Sequence, residues 1–524
     1  MRYCLLLILL CFATAEASSD VLISKIVLRA QSPTEQPLPH GRVFVDSTLA
    51  TRTEAAPLRA QLRTFIGTPL TLEQCEILNK TISDFFFEHL HLLTVVSIPS
   101  QDISSGVLQI HVRLSTLDEI TLEGNKWTSN RWLLARTHLK SGKELHTDKL
   151  ETDLAWLNRS PFRRTDLILL PGSKPHTTSA KLITQERFPL RPYIGGDNTG
   201  TAHTSYTRWF AGLQAGNIWG WDQQASYQFT TASDPFQFIA HNATYTIPFP
   251  WHHQLYTYGG WSRTNGTLPE HALHNRCINW QVSPRYQIPI SPLYGKKLQE
   301  FTIGYDFKQI DNVLAFSGTS FSQATADINQ IMLGYAWRYQ TARFATSFTA
   351  ELFAAPAQLT KNQTDEQYQK IRPFAASRYG YLRIQCNHTQ YFPHKISLEG
   401  TLVAQGTAWN LLPSEQMGIG GYNTVRGYEE RGMNVDNALL ASLEMKAPPI
   451  KGLQFLAFID YGWGQLYHAD VHQTPTDWML GVGPGVRYFK SDKIAFRADL
   501  GFPLHPAGIG RQGIHLHVGG SLAY

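Results

Sequence analysis

The feature that most constrains the fold is a series of short segments, from residue 190 to the C-terminal end, in which apolar and polar side chains alternate. Alternation with a period of two places successive side chains on opposite faces of a β-strand. In the last segment, for example, Leu516 and Val518 alternate with His517 and Gly519. About sixteen such segments can be placed by this pattern; they start near residues 190, 205, 222, 236, 254, 276, 299, 327, 342, 375, 395, 437, 453, 476, 493 and 514.

The connections between these segments favour a membrane barrel over a soluble β-sandwich, which also alternates. Short turns on one side, long loops on the other and an even strand number are typical of outer-membrane barrels. We therefore predict an all-β transmembrane barrel of about 16 antiparallel strands over residues 187–524. The connections predicted to be short lie around 216–220, 447–452 and 490–492, and the longer ones at 265–275, 311–325, 356–370, 503–512 and, longest of all, 407–436.

The composition agrees with a membrane barrel and excludes several other classes. Charged residues make up 17% of the 524 residues, below the ~25% of ordinary soluble proteins, while aromatic residues make up 12%. A net charge of +5 over such a length is no basic footprint for nucleic acid. Beyond the N-terminal segment there is no run of ~18 apolar residues, so we predict no transmembrane helix.

The first residues have the pattern of a secretory signal peptide. Arg2 supplies the positive charge, residues 3–13 are apolar, and Ala15-Glu16-Ala17 forms an A-x-A cleavage site. We therefore expect the chain to be exported across the inner membrane and residues 1–17 to be removed. The remaining cysteines, Cys75, Cys277 and Cys386, are far apart and odd in number, which predicts buried free thiols rather than disulfides or a zinc site.

Residues 18–186 mix strand and helix patterns, and the order β-α-α-β-β occurs twice. We expect two small α+β domains, residues 18–115 and 116–186. The helix prediction is clearest over 72–87, where apolar residues recur at spacings of three and four. The predicted strands lie at 21–29, 94–98, 107–112, 117–122, 165–170 and 180–184, and the other predicted helices at 57–65, 130–136 and 147–157.

The longest predicted loop carries the candidate functional motif. It reads Gly418-Ile-Gly420-Gly421-Tyr-Asn-Thr-Val425-Arg426-Gly427-Tyr428, and its glycines permit positive φ angles and close backbone approach. A loop that folds into a polar lumen needs an anchor, and an arginine paired with a carboxylate is a strong one. The candidate partner is Asp460, which faces the lumen if Phe455, Ala457, Ile459 and Tyr461 face lipid. The same residues also permit a surface loop with an exposed arginine.

The loop motif and its predicted partner resemble those of a known superfamily. Val425-Arg-Gly-Tyr428 in a glycine-rich loop, with Asp460-Tyr-Gly462 one strand later, is similar to outer-membrane barrel-assembly insertases and two-partner secretion transporters. The α+β units resemble polypeptide-transport-associated (POTRA) domains. The run Gln101-Asp102-Ile-Ser-Ser-Gly106-Val-Leu and the Leu-Asn158-Arg-Ser-Pro161 turn resemble the haemolysin/filamentous-haemagglutinin transporter branch, TpsB.

The resemblance implies a protein-translocation pore that secretes unfolded exoprotein cargo recognised by periplasmic POTRA domains. The alternative is an insertase that assembles other barrels, but two POTRA domains favour the transporter. Outer-membrane lipid and the exoprotein would be its partners, and we expect a monomer without nucleic acid, cofactor, metal or enzymatic activity. We find no Walker A loop and no readable catalytic cluster.

Members of this branch often begin with a helix that plugs the barrel, and the present chain departs from that pattern. Its first predicted strand starts a few residues after the cleavage site, so we expect no separate plug helix. We expect the polar stretch 31–54 to be a surface loop; the alternative is that it substitutes as a plug.

Overall fold

The computed structural model describes residues 21–30, 41–51, 53–268, 273–290, 297–316, 319–471, 473–507 and 513–524. The chain divides into two compact units, with the boundary between Glu186 and Arg187. The predicted signal peptide lies outside the described residues.

The first α+β domain is a mixed four-stranded sheet in the order β2-β1-β4-β3, with two helices. Helix α2 begins where the Thr71 hydroxyl accepts a hydrogen bond from the N–H of Gln74, and its buried side chains Leu78, Ile82 and Phe86 recur every four residues. These side chains pack on the buried residues of β1 and β4. The elements are β1 (Lys25–Ala30), β2 (Val43–Val45), α1 (Ala55–Arg63), α2 (Leu72–His89), β3 (Thr94–Ser97) and β4 (Val107–Leu114).

The expectation of a plain loop over residues 31–54 is wrong for part of that stretch. Strand β2 pairs in parallel with β1, with Ile26 opposite Val43 and Leu28 opposite Val45. Three residues are too few for a periodic pattern, so this strand could not be predicted from the sequence. Residues 31–40 lie outside the described residues.

The second α+β domain is a three-stranded sheet in the order β5-β7-β6. Its β-strands follow the predicted pattern, and Asn158 holds the turn from α4 into β6 by donating to the carbonyl of Thr165 (2.8 Å) and accepting from its N–H (2.6 Å). The elements are β5 (Thr116–Glu123), α3 (Asn130–Leu134), α4 (Thr147–Leu157), β6 (Arg163–Pro171) and β7 (Thr177–Glu186).

The remaining part of the described chain forms a closed antiparallel barrel of sixteen strands, which confirms the predicted fold class. Each strand pairs with its neighbour in the chain, and β25 closes the barrel on β8 from Gly519 opposite Asp197 to Ala523 opposite Tyr193. The strands are β8 (Leu190–Asp197), β9 (Arg208–Ile218), β10 (Gln223–Ala232), β11 (Phe238–Pro248), β12 (Gln254–Leu268), β13 (Leu273–Pro289), β14 (Lys297–Phe316), β15 (Thr319–Gln340), β16 (Phe344–Ala355), β17 (Tyr379–Tyr391), β18 (Ser397–Thr407), β21 (Asn437–Lys446), β22 (Leu453–Gln465), β23 (Thr476–Lys490), β24 (Ile494–Pro503) and β25 (His515–Ala523).

Alternation along each strand separates an outer apolar surface from a polar lumen. In β22, Phe455 and Ile459 are 54% and 44% exposed on the outer surface, whereas Asp460 is fully buried on the inner one. Outward-facing apolar side chains are what a lipid-facing surface requires. Among the described residues no helix is both long and apolar enough to span a membrane.

Two connections that we expected to be long are mostly strand. Strands β12 and β13 run to Leu268 and from Leu273, and β14 and β15 run to Phe316 and from Thr319. Crossing a membrane takes ~9–11 residues per tilted strand, so the 22 residues of β15 extend well beyond one crossing. The prediction was wrong because polar residues in an extended hairpin have the same composition as a loop. The connection between β16 and β17 does leave the sheet and contains helix α5 (Asp365–Ile371).

Candidate functional site: a loop anchored in the barrel lumen

Residues 407–436, here called the lumen loop, fold back against the inner wall of the barrel. Two short strands, β19 (Met417–Ile419) and β20 (Met433–Val435), pair with each other and form the stem. The tip between them contains the glycine-rich motif. Val425 and Tyr428 are buried in a cluster with Ile419, Met433 and the wall residue Met479, so the tip has a small apolar core.

The structure brings Arg426 and Asp460 together, which is the pairing proposed from the sequence. Arg426 Nε lies 2.6 Å from Asp460 Oδ2, and Nη2 lies 2.8 Å from Oδ1. The backbone N–H of Arg426 donates to the same carboxylate (3.1 Å), and so does the Ser442 hydroxyl (2.6 Å). Arg426 is 3% exposed and Asp460 0%. This two-pronged, fully buried pair fixes both the position and the orientation of the tip.

Further groups surround the Arg426 guanidinium. Nη1 donates to Glu444 Oε1 at 2.6 Å and lies 3.7 Å from Asp499 Oδ1. The guanidinium carbon lies 3.5 Å from the centroid of the Phe458 ring, close enough for a cation–π interaction. Glu444 and Asp499 are themselves paired with inward-facing cations of the wall, namely Lys446, Arg487 and Arg497. Of the three carboxylates around Arg426, only Asp460 was predicted from the sequence; Glu444 and Asp499 were not.

Three of the four motif glycines have positive φ angles, and the fourth allows a close approach. Gly420, Gly421 and Gly427 have φ angles of 102°, 106° and 98°, a region that other residues rarely adopt. Gly418 instead lies in strand β19, where a Cβ would come within 2.7 Å of Arg431 Cγ. Its role is close approach to a neighbour rather than an unusual backbone conformation.

A second set of glycines lies in the barrel wall beneath the tip; of these, only Gly462 was part of a motif recognised in the sequence. A Cβ on Gly481 would lie 1.9 Å from the carbonyl oxygen of Arg426, and a Cβ on Gly501 would lie 2.2 Å from the backbone nitrogen of Gly427. A Cβ on Gly462 would lie 2.6 Å from a methyl group of Ile419. The absence of side chains on three neighbouring strands thus makes room for the loop.

Tyr428 and Gly427 add hydrogen bonds to the wall. The Tyr428 hydroxyl donates to the carbonyl of His505 (2.6 Å) and accepts from the N–H of Leu480 (3.1 Å). The N–H of Gly427 donates to His517 Nε2 (3.1 Å). All of the Val-Arg-Gly-Tyr motif is therefore in contact with the wall or the core of the tip.

Glu430, in the tip of the loop, has a perturbed acidity. Burial raises the pKa of its carboxyl group to about 7, although the hydrogen bond from the N–H of Tyr422 acts in the opposite direction. That bond is 2.5 Å long. Glu430 is therefore a group of the tip that changes charge near neutral pH.

Two further ion pairs attach the loop away from its tip, and nothing local in the sequence indicated them. On the first limb, the Glu415 carboxylate accepts from Lys308 Nζ (2.9 Å), the Tyr381 hydroxyl (2.7 Å) and the Gln330 amide (3.0 Å). At the base, Arg372, just beyond α5, forms a bidentate pair with Asp436 (2.5 and 2.7 Å). Glu415 and Asp436 are 1% and 0% exposed.

The site has no features of a metal centre or a disulfide within the part of the chain that the structure describes. No group of three or more potential ligands that could hold a metal ion occurs there. Cys75, Cys277 and Cys386 are free, and they are half-buried rather than buried as the sequence suggested.

A closed sixteen-stranded barrel with a lumen loop and two small α+β POTRA domains defines an outer-membrane transporter of the POTRA–barrel class. The particular family follows from the sequence: the model of the haemolysin secretion/activation protein ShlB/FhaC/HecB matches residues 177–488, more than half of the chain, so the chain belongs to this family. Its members are transporters rather than enzymes, and they secrete exoproteins across the outer membrane in two-partner secretion. The protein thus lies in the bacterial outer membrane with its POTRA domains in the periplasm.

Individual relatives agree with this assignment. The haem/haemopexin transporter protein HuxB of Haemophilus influenzae (strain 86-028NP) is 22% identical over 84% of this chain and 80% of its own length. The outer membrane transporter CdiB of Dickeya dadantii is 21% identical over 83% and 78%. The solved structure of CdiB from Escherichia coli covers 98% of this chain and 93% of its own, with a TM-score of 0.75 at 15% identity. BamA from Haemophilus ducreyi, lacking POTRA domains 1–3, has the same barrel fold (TM-score 0.53, 13% identity, 91% and 98% covered).

Proposed function

We propose that this protein secretes one or a few large exoproteins, that its POTRA domains capture the cargo unfolded, and that the lumen loop controls passage through the barrel. The observation that carries this proposal is the Arg426–Asp460 pair, because a loop held inside the lumen by a buried ion pair is a device for a pore whose passage must be controlled. A porin would need neither this pair of buried charges nor two periplasmic domains.

Capture can use an exposed strand edge. The order β5-β7-β6 places β6 at one edge of its sheet, and Ile168 and Leu170 on β6 are 41% and 44% exposed. An extended segment of cargo can add to such an edge through backbone hydrogen bonds, which tolerate varied side chains. This arrangement suits an unfolded substrate whose sequence is not fixed.

Passage requires a channel wide enough for an extended chain. Barrels of 16 strands can enclose an aqueous lumen, and in this one the lumen loop occupies part of it. Removing one partner of a buried ion pair costs ~3–5 kcal/mol, because the other charge is left buried and uncompensated. Arg426 therefore keeps the loop in one docked position. For cargo to pass, either the loop must leave this position or the cargo must pass beside the docked loop.

The test compares Arg426→Ala with Arg431→Ala by quantitative proteomics of the culture medium and the outer membrane. Arg431 lies in the same loop but bonds to Asn434 and Pro413 rather than to Asp460, so it is a matched control. We expect Arg426→Ala to lower the amount of one or two large secreted proteins by roughly tenfold or more, as the loss of a buried pair predicts. The barrel itself should assemble to the normal level.

The outcomes separate the proposed function from its alternatives. Normal secretion by Arg426→Ala would show that the anchored loop has no part in transport. A broad fall in the amounts of other barrels in the outer membrane, with the medium unchanged, would instead identify an insertase. This activity is the second candidate because the chain shares its barrel fold with BamA.

A further inference from the structure

His517 is in direct contact with the motif of the lumen loop from the last strand of the barrel. Its Nε2 atom accepts the N–H of Gly427 at 3.1 Å, and the side chain of His517 lies in the lumen with the residue only 4% exposed. Gly427 adopts a φ of 98° and packs tightly over Gly501. The N–H of Gly427 therefore has a fixed direction, and His517 is the acceptor that meets it.

The other side of the tip also lies against β25. The ring of Tyr422 meets the ring of His517 edge to face, with centroids 6.4 Å apart at 76°, and a Cβ on Gly519 would come within 2.7 Å of the Tyr422 hydroxyl. Arg497 holds Tyr422 in place by donating to its carbonyl (2.6 Å) and lying over its ring. His517 is thus enclosed between both ends of the turn that contains the motif.

We propose that His517 is a positioning residue of this transporter, whose unprotonated Nε2 holds the tip of the lumen loop in its docked position and releases it when that nitrogen gains a proton. A neutral imidazole can accept a hydrogen bond at one nitrogen, whereas a protonated imidazole donates at both. Protonation therefore turns the contact with the Gly427 N–H from a hydrogen bond into a repulsion between two donors. The inference rests on the proposed role of the lumen loop and names a group that governs it.

Several charged or titratable groups face His517 and act on its protonation. They are Arg426 and Tyr422 of the loop, Arg497 and Asp499 of β24, of which Asp499 is directly opposite His517, and His515 of β25. Glu430 of the loop, which accepts from Tyr422, also gains a proton on acidification. A test must therefore separate the effect of protonating His517 from the effects of these neighbours.

The experiment measures channel open probability of the purified full-length protein in planar lipid bilayers, at neutral pH and in acid that leaves the barrel folded. The variants are His517→Gln, which keeps an acceptor but does not titrate, His517→Phe, which has no acceptor, and His515→Gln, which removes the neighbouring imidazole. Electrophoretic mobility before and after heating reports whether each barrel is folded.

At neutral pH we expect His517→Phe to raise the open probability about two- to tenfold, the effect of losing one net hydrogen bond, and His517→Gln to match the wild type. On acidification the open probability of the wild type and of His515→Gln should rise, while that of His517→Gln should not share this rise. Because Glu430 is present in all of these proteins, the difference between the wild type and His517→Gln isolates His517.

Two results would overturn the proposal: a folded His517→Phe barrel with wild-type open probability at neutral pH, or an acid response of His517→Gln equal to that of the wild type. Conductance is measured without cargo, so failure here is distinct from failure of the proposed secretion. If Arg426→Ala secretes normally but the acid response depends on His517, the histidine positions the loop and the loop has another purpose.

Discussion

Arg426 is a cation that the folded protein keeps almost entirely from water, and its neighbours explain how that is possible. Taking a guanidinium out of water is costly, and a buried pair repays this cost only with close, well-directed partners. Arg426 has such partners in Asp460 and Glu444 and an aromatic face in Phe458. The pair is therefore better understood as specifying one position of the loop than as a source of stability.

Backbone contact between the tip and the wall can be tested by adding a single methyl group. A Cβ at Gly481 would meet the carbonyl oxygen of Arg426 at 1.9 Å, and a backbone atom cannot rotate away as a side chain can. We expect Gly481→Ala to destabilise the docked state by ~1–3 kcal/mol, as other overpacking substitutions do. The measurements are the temperature at which the fast-migrating folded form is lost in electrophoresis, and the channel open probability.

The matched control for this prediction is Gly400→Ala, also in a barrel strand. Its Cβ would meet nothing closer than 3.8 Å, so it should leave both measurements unchanged. Equal behaviour of the two variants would mean that the tip does not occupy the place that the structure assigns to it.

At the scale of elements, the lumen loop is held at three separate places rather than at its motif alone. Its first limb is attached through Glu415 to Lys308 on β14 and Tyr381 on β17. Its base is attached through Asp436 to Arg372, which follows α5. The connection that contains α5 therefore supports the loop from outside the stem, and any movement of the tip can leave the limb and the base in place.

Glu415→Gln tests the attachment of the first limb. Burial would raise the pKa of Glu415, but the Lys308 ammonium and the hydrogen bonds from Tyr381 and Gln330 outweigh burial and hold this pKa below its ordinary 4.5. The stabilisation by the ionised carboxylate is therefore complete above pH 4.5 and is lost as the pH falls through the lowered pKa. We expect the variant to unfold at a lower temperature at neutral pH, by the equivalent of ~3 kcal/mol for a broken buried pair.

Acidification provides an internal check on this prediction. The difference between the wild type and Glu415→Gln should shrink in acid, because the wild-type carboxyl group is then neutral too. Glu366→Gln removes a carboxylate from an exposed pair with Lys370 and should have little effect at any pH. A Glu415 variant as stable as the Glu366 variant at neutral pH would contradict the attachment.

At the scale of the whole molecule, closure of the barrel satisfies each strand within one chain. Strand β25 pairs with β8, and a closed barrel has no free strand edge with which to join a second copy. We accordingly predict a monomer in detergent, with the protein mass of one 59.1 kDa chain less its predicted signal peptide. Sedimentation equilibrium with the detergent density-matched measures this mass, and a dimer mass at low protein concentration would contradict the prediction.

The strand number, the two α+β domains and the loop motif could be predicted from the sequence, because they depend on local patterns. A period of two along β22 or a four-residue spacing along α2 acts within one element and needs no knowledge of its neighbours. The Arg426–Asp460 pair could also be proposed, because inward orientation of Asp460 follows from the same alternation.

The groups that contact the loop inside the barrel could not be predicted, because they depend on tertiary contacts. The register of sixteen strands and the path of the chain across them bring Gly481, Gly501 and His517 to the tip and Lys308 to Glu415, although they are distant in sequence. The lengths of β12 to β15 could not be predicted from the sequence either, because polar residues occur both in loops and in strands that extend beyond the membrane. Contacts between distant elements depend on register, and register is a property of the closed sheet rather than of any one strand.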